Sequence, residues 1–430
     1  MRLRDLAPFL PIGLLVVAPL ACSSTTTSND SGGGDAGDQG TGDDGGDTTG
    51  DGGIGSTKDA GPPFVPGAFP GGYPQVPNNG GGVVTAMRLV SILPAGESTV
   101  QHFGEAFPAS ATFAAVAAEY GLGTPAAGVT ITGGAITAGQ LEDNAIQSYI
   151  SSTISSHSGI APDGHTIYLL FLPTTSWLSY NGQSNQGCHQ NGDPQAGGIG
   201  GYHVPYGNNG DGWGVVQHCT GLQGETDPQE LEIAASHEVI EAVTDVDGQS
   251  GYSLPQPQQD PTGLSIWDDV LLTEVGDLCV NTQINDGAYT YQRFWSNTAA
   301  KSSADPCIPA IPLFFNTGTV GADSRGWFTM SGSTMTIPIE GFSTAALAPW
   351  IVASAYGPQP VQATEAGWSI TVTGTGTSQG QATIGNGEKG TVTITASGAT
   401  SGSWAEFELV SAAGISGESE HVWPFGVRVP

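Results

Sequence analysis

The sequence predicts an α+β domain over residues 83–308 followed by an all-β sandwich over 309–430. Three observations carry this. Candidate strands and helices alternate through the first part. Beyond about residue 308, apolar and polar residues alternate with a period of two between Gly/Ser turns, the pattern of half-buried strands. After residue 60, 370 residues remain, more than one ordinary domain and enough for two.

The elements follow in order. Residues 61–82 are rich in Gly, Pro and Asn and read as an extended lead-in. "VVTAMRLVSIL" (83–93) is a candidate buried strand, and the Ala-rich "SATFAAVAAEYG" (110–121), closed by a glycine, is a helix. "GVTITG" is a short strand. Residues 139–156 set Leu141, Ala145 and Tyr149 on one helical stripe with Ile146, Ile150 and Ile154 beside it. "TIYLLFLP" (166–173) is a buried strand, 174–212 reads as loop, and "GWGVVQHC" (212–219) is a strand before another helix. In the C-terminal part, "TMTIPIEGF", "WSITVTGTG", "GTVTITASG" and "WAEFELVSA" are the strands. No His–acid cluster is found there, so its expected role is support or binding of a wall or matrix component.

That last helix raises the functional question. Residues 234–245 read "AASHEVIEAVTD", an HExxE motif where zinc proteases carry HExxH. On a helical wheel Leu231, Ala235, Val239, Ala242 and Val243 fall on one side, extended by Ile233 and Ile240. The remaining arc carries Glu230, His237, Glu238, Glu241, Thr244 and Asp245. A solvated acidic face would normally be paired with Lys or Arg at i,i+4, and here there are none. Residues 225–278 hold thirteen acids and no Lys or Arg. A divalent cation on the strip explains the arrangement.

His237 and Glu241 are four apart and can address one ion from successive turns. Glu238 is set beside it, at the position of the general base in metalloproteases. Glu274 and Asp277 in "LTEVGDLCV" are the expected further carboxylates, with Asp245 as an alternate. His203 in "GGYHVPYG" and His218 in "VVQHC" are other possible ligands. The competing reading makes His237 a core histidine and the acids a solvated helix face. The dipole of a helix N-terminus accounts for Glu230 and Glu232 but not for Glu241 or Asp245. Zn2+ is the expected ion, with Ca2+ or Mn2+ as alternatives for so anionic a set.

The rest of the chain bounds the setting. A formal charge of −31 with nine Lys plus Arg excludes nucleic acid and anionic lipid as electrostatic partners. Residues 23–60 hold twelve Gly, eight Asp and one Lys with almost nothing apolar. Such a stretch cannot bury enough surface to fold and reads as a flexible tether, which with the extended lead-in makes up 23–82. Residues 1–22 join a basic start to an apolar run too short and Pro-broken to span a membrane, ending at Ala21-Cys22. This resembles a bacterial lipoprotein signal with Cys22 as the lipidated residue, although Pro19 departs from the pattern. An ordinary secretory signal is the alternative. Ser23 in place of Asp points to the outer membrane of the cell envelope. Export makes Cys188, Cys219, Cys279 and Cys307 two expected disulfides, with 188–219 and 279–307 the simplest of three pairings and a four-cysteine zinc site the runner-up. A monomer is expected.

The series "GGYH", "ELEIAASHEVIEAVTD", "EVGDLC" and "YQRFWSN…DPC" resembles secreted bacterial and fungal proteins of uncertain function carrying an HE-x-x-E-A-x-T-D helix, distantly similar to the plant phosphate-induced (EXORDIUM-like) cell-wall family. The resemblance spans about 83–307. It implies a zincin-like domain whose site contains His237, Glu238 and Glu241, with Glu274 and Asp277 nearby. The plant members lack the HE pair, and "TDVDG" stands here where "TDP" is usual. Two functions follow as expectations. One is a surface-anchored zinc metallopeptidase acting on protein or peptide. The other is a non-catalytic binder of a cell-surface polymer, with Trp177, Tyr180, Tyr202, Tyr206 and Trp213 as contacts. A glycoside hydrolase would use paired carboxylates but leaves His237 unexplained.

Overall fold

A computed structural model describes residues 64–67, 69–180, 183–184, 200–207, 209–219, 225–248, 250–255, 265–267, 273–280, 282–302, 304–356, 367–378, 380–413 and 421–430. The signal, Cys22, the Gly/Asp tract and Cys188 lie outside them. Among the described residues no helix is long and apolar enough to cross a membrane.

The first part is built on a five-stranded sheet in the order Val129–Thr132, Arg88–Leu93, Thr166–Phe171, Asp211–Val216 and Gly201–Tyr206. The first four run parallel and the last is an antiparallel edge. Burial on both faces explains the unbroken apolar runs, such as "TIYLLF" with all six residues buried. Alternate side chains divide between two cores. Leu89, Ile167, Leu169 and Phe171 face the helices Ala111–Tyr120 and Asp227–Thr244. Val90, Ile92, Tyr168 and Leu170 face the helix Asp143–Ser156 through Ile146, Ile150 and Ile154. The stripe through Ala145 and Tyr149 is more exposed.

Two expectations need correction. The strand at 83–93 begins only at Arg88, because Ala86 adopts a positive φ of 49° and turns the chain. The span 174–212 is not all loop: it contains the strands Ser176–Tyr180 and Gly201–Tyr206. The second completes the sheet by pairing with Asp211–Val216, which sequence-local signals did not show.

The lead-in packs along the molecule. Phe69 and Tyr73 nest against Trp423, with ring centroids 5.9 and 5.2 Å away, and Tyr73 also meets Trp267 and Trp295. The C-terminal part is predominantly β. Its strands form a four-stranded sheet containing Thr334–Ser343 and Lys389–Ala396 and a six-stranded sheet containing Trp404–Ala412 and His421–Arg428. One continuous apolar cluster joins this region to the first, and residues 66–430 belong to one compact unit.

Cys279 and Cys307 form a disulfide, which excludes a zinc site made of all four cysteines. Cys219 is also disulfide-bonded. Of the aromatic residues proposed as contacts, Tyr202 and Trp213 are core residues packed 5.6 Å apart, and Tyr206 sits 5.5 Å from Tyr168. Their role is anchoring.

Candidate metal centre

The helix Asp227–Thr244 starts with Pro228 in its first turn, where a missing N–H costs nothing, and with Gln229 accepting the Thr226 N–H at 3.0 Å. It is buried almost all round. His237, Glu238 and Glu241 are completely inaccessible, so the acidic strip faces the interior and not water. Near its start, Glu232 accepts the Thr290 N–H at 2.8 Å, which makes it a partner of the strand Tyr289–Gln292 as well as a group suited to the dipole.

The strip lies over the edge of the sheet. A Cβ at Gly201 would sit 3.0 Å from Glu238 Cγ, and one at Gly214 would sit 3.6 Å from Glu238 Cβ. These glycines let the helix approach the edge strand Gly201–Tyr206 and its neighbour Asp211–Val216. There His203, paired with Gly214, points its ring at the helix, with Nδ1 3.2 Å from Glu238 Oε2 and 3.8 Å from Glu241 Oε2. From the other side comes the segment 273–280, which carries Glu274 and Asp277, both buried. Glu274 Oε1 is 3.6 Å from His203 Nε2, and Asp277 Oδ1 is 3.8 Å from His237 Nε2.

His237 and Glu241 meet as their i,i+4 spacing predicts, with Nε2 2.9 Å from Oε2. The contact does not have hydrogen-bond geometry. Nε2 and both Glu241 oxygens are left without a hydrogen-bond partner, as are Glu238 Oε1 and Glu274 Oε1. Buried polar atoms are paired in nearly all proteins, so five unpaired ones in one place call for a partner such as ordered water or a cation. Among the described residues, the ion pairs of these four carboxylates are with His203 and His237 only.

The orientation of His237 is fixed by Gln292. The Gln292 amide nitrogen donates to the Gly276 carbonyl at 2.7 Å, which turns its oxygen toward His237 Nδ1 at 3.1 Å. Nδ1 must therefore be the donor, and the Nε2 lone pair is aimed at Glu241 and Asp277. This is how proteins hold a metal-ligating imidazole. The charges agree. Burial, and then the Glu241 carboxylate, push Glu274 and Asp277 well above the ordinary carboxylate range. Burial alone would lower His237, but the Glu241 charge more than offsets it and pushes the imidazole up to about 10.

Two groups of three emerge whose ligand atoms all lie within 4.8 Å of one another: His237, Glu241 and Asp277, and His203, Glu238 and Glu241. Each could hold a metal ion. Of the residues predicted from sequence, His237, Glu238, Glu241 and Asp277 are brought together, with Glu274 adjoining. Asp245 belongs to neither group. The chain leaves the helix there at φ −153° and ψ 69°, its carboxylate accepts the Gly251 N–H at 2.8 Å, and only its backbone carbonyl faces His203. His218 is also elsewhere, held between Asp227 at 2.8 Å and Glu97 at 3.0 Å. Sequence reasoning undervalued His203 and missed Gln292 and Gly276. Alternation of Tyr202, Val204 and Tyr206 could have revealed the strand that carries His203. Gln292 gives no sequence signal.

No protein-family model matches the chain, and no curated protein matches it.

Proposed function

We propose that this chain is an exported, metal-dependent hydrolase acting on peptide bonds, with its centre in a zincin-like domain followed by a β-sandwich. The observation that carries it is the convergence of orphaned, buried ligand atoms of His237 and Glu241 beside Asp277 and an acid, Glu238, with one oxygen unengaged. One imidazole with carboxylate oxygens suits Zn2+, with Mn2+ or Ca2+ as alternatives. When bound, the ion supplies Lewis acidity and neutralises charge. Glu238 is held through Oε2 by His203 and keeps Oε1 to accept and return a proton. The anchored location, through Cys22, belongs to the same proposal, and the disulfide suits an oxidising compartment.

Cleavage of casein or gelatin by the metal-loaded protein, lost on chelation, tests the reading. Glu238→Gln is expected to lower the rate by about 10²–10⁴-fold while at least one ion stays bound. A second reading, a cell-surface binding protein with a structural ion, is favoured by the complete burial of the centre. Stoichiometric metal with no cleavage of either substrate would select it.

A further inference from the structure

Glu241 belongs to both ligand groups, and it is the one residue they share. Its Oε2 lies 2.9 Å from His237 Nε2 and 3.8 Å from His203 Nδ1, and both its oxygens lack hydrogen-bond partners. We propose that the centre is binuclear: one divalent cation held by His237, Glu241 and Asp277, a second by His203, Glu238 and Glu241, with the Glu241 carboxylate bridging them. The inference deepens the metal reading above and rests on it.

Three observations support two ions over one. The first is charge. Glu238, Glu241, Glu274 and Asp277 are buried, and none has a Lys or Arg ion pair among the described residues. The two groups bring together three carboxylates, Glu238, Glu241 and Asp277, with Glu274 adjoining, and once their protons leave a single dication offsets only two of those charges. Uncompensated buried charge is among the costliest features a fold can carry.

The second is the orientation of His203. Its Nε2 lies 3.3 Å from the Asp245 carbonyl, which can only accept, so Nε2 carries the proton there. Nδ1 then faces Glu238 Oε2 at 3.2 Å and Glu241 Oε2 at 3.8 Å, holding those carboxylates through a proton in the metal-free chain and free to turn a lone pair to a cation once that proton leaves. Asp245 thus does for His203 what Gln292 does for His237: each backs one imidazole so that its other nitrogen points inward.

The third is spacing. His203 and His237 approach Glu241 from different elements, an edge strand and the helix itself, and each gathers its own further carboxylate. Two-metal hydrolytic sites hold their ions about 3.5–4 Å apart, a separation one carboxylate spans. Glu238 can bind the second ion through Oε2, the atom facing His203, and retain the unpartnered Oε1 for proton transfer.

The test is to strip the full-length oxidised protein and reload it with Zn2+ or Mn2+ alone. Bound metal is counted by mass spectrometry, and the Mn2+ form is read by electron paramagnetic resonance. The expected result is two equivalents per chain and an exchange-coupled Mn2+ spectrum. His203→Ala should retain one equivalent with an uncoupled signal. The near-isosteric Glu238→Gln, which keeps the fold if the alanine variant does not, should weaken the second equivalent at least tenfold and spare the first. One equivalent in the unmodified protein, or two without coupling, overturns the bridged pair and leaves a single-ion centre standing. No bound metal overturns both.

Discussion

Removing bound metal with a chelator is expected to lower the thermal unfolding midpoint by on the order of 5 °C at neutral pH. A ligand present at a thousand times its Kd contributes about 4 kcal/mol, and at about 2.1 cal/mol/K of unfolding entropy per residue a compact unit spanning 66–430 shifts by roughly 1 °C per kcal/mol. The shift should also depend on pH. In the metal-free chain Glu274 and Asp277 titrate above their unfolded values, and His237 is pushed up to about 10. A raised folded pKa means the folded chain holds extra protons. The stability this contributes is complete below the unfolded pKa and is lost as pH rises, from about 4 upward for the acids and from about 6.5 toward 10 for His237. A cation requires those protons to leave, so rising pH favours the loaded form. The gap between loaded and stripped midpoints should therefore widen from about pH 5 to pH 8. Calorimetry of both forms across that range measures it, and coincident midpoints at pH 8 would remove the cation from the account.

Gly276→Ala should damage the centre although no ligand is changed. At φ −77° and ψ −44° any residue fits the backbone, so the glycine is not needed for its conformation. It is needed for space. A Cβ there would lie 2.7 Å from Glu241 Oε1, 2.8 Å from His237 Nδ1 and 3.0 Å from His237 Cε1. Both side chains are packed on every side and cannot retreat. The expected outcome is a loss of about 1–3 kcal/mol of stability from overpacking and a 10–100-fold weaker metal affinity from the displaced imidazole. Titration with a competing chelator and a denaturant melt separate the two effects. Wild-type affinity in a folded Gly276→Ala protein would show that the segment 273–280 is not held against the helix as described.

Much of the centre was legible in the sequence because its central part is local. His237 and Glu241 share a helix, and helical periodicity brings residues four apart together without further information. The lack of any Lys or Arg between 225 and 278 showed that the acids had no cationic partner nearby in the chain. Glu274 and Asp277 were recognisable as acids in an otherwise apolar stretch ending in a cysteine. What stayed hidden depended on pairing across the chain. His203 reaches the helix only because Gly201–Tyr206 turns back antiparallel onto Asp211–Val216, and no residue in "GGYHVPYG" specifies that partner. Gln292 acts through a strand that packs on the helix from 55 residues away. Asp245, an alternate either as a ligand or as a group behind one, stands where the helix has ended at Thr244 and backs His203 through its carbonyl. Thr334–Ser343, Trp368–Thr373 and Lys389–Ala396 were readable from period two because one face is more buried than the other, whereas His421–Arg428, buried on both faces, carries no such alternation.

The Cys279–Cys307 bond has a consequence for when the centre can form. Cys279 follows Asp277 by two residues, and the bridge closes a loop with a sequence separation of 28, a constraint worth about 3–4 kcal/mol in loop entropy. Asp277 is thus held in place by a covalent brace available only after oxidation. On the proposal that the chain is exported and holds a cation, the reduced chain keeps every donor atom but an unfastened arm and is expected to take up metal more weakly than the oxidised chain, which parallel metal titrations of the two forms would check.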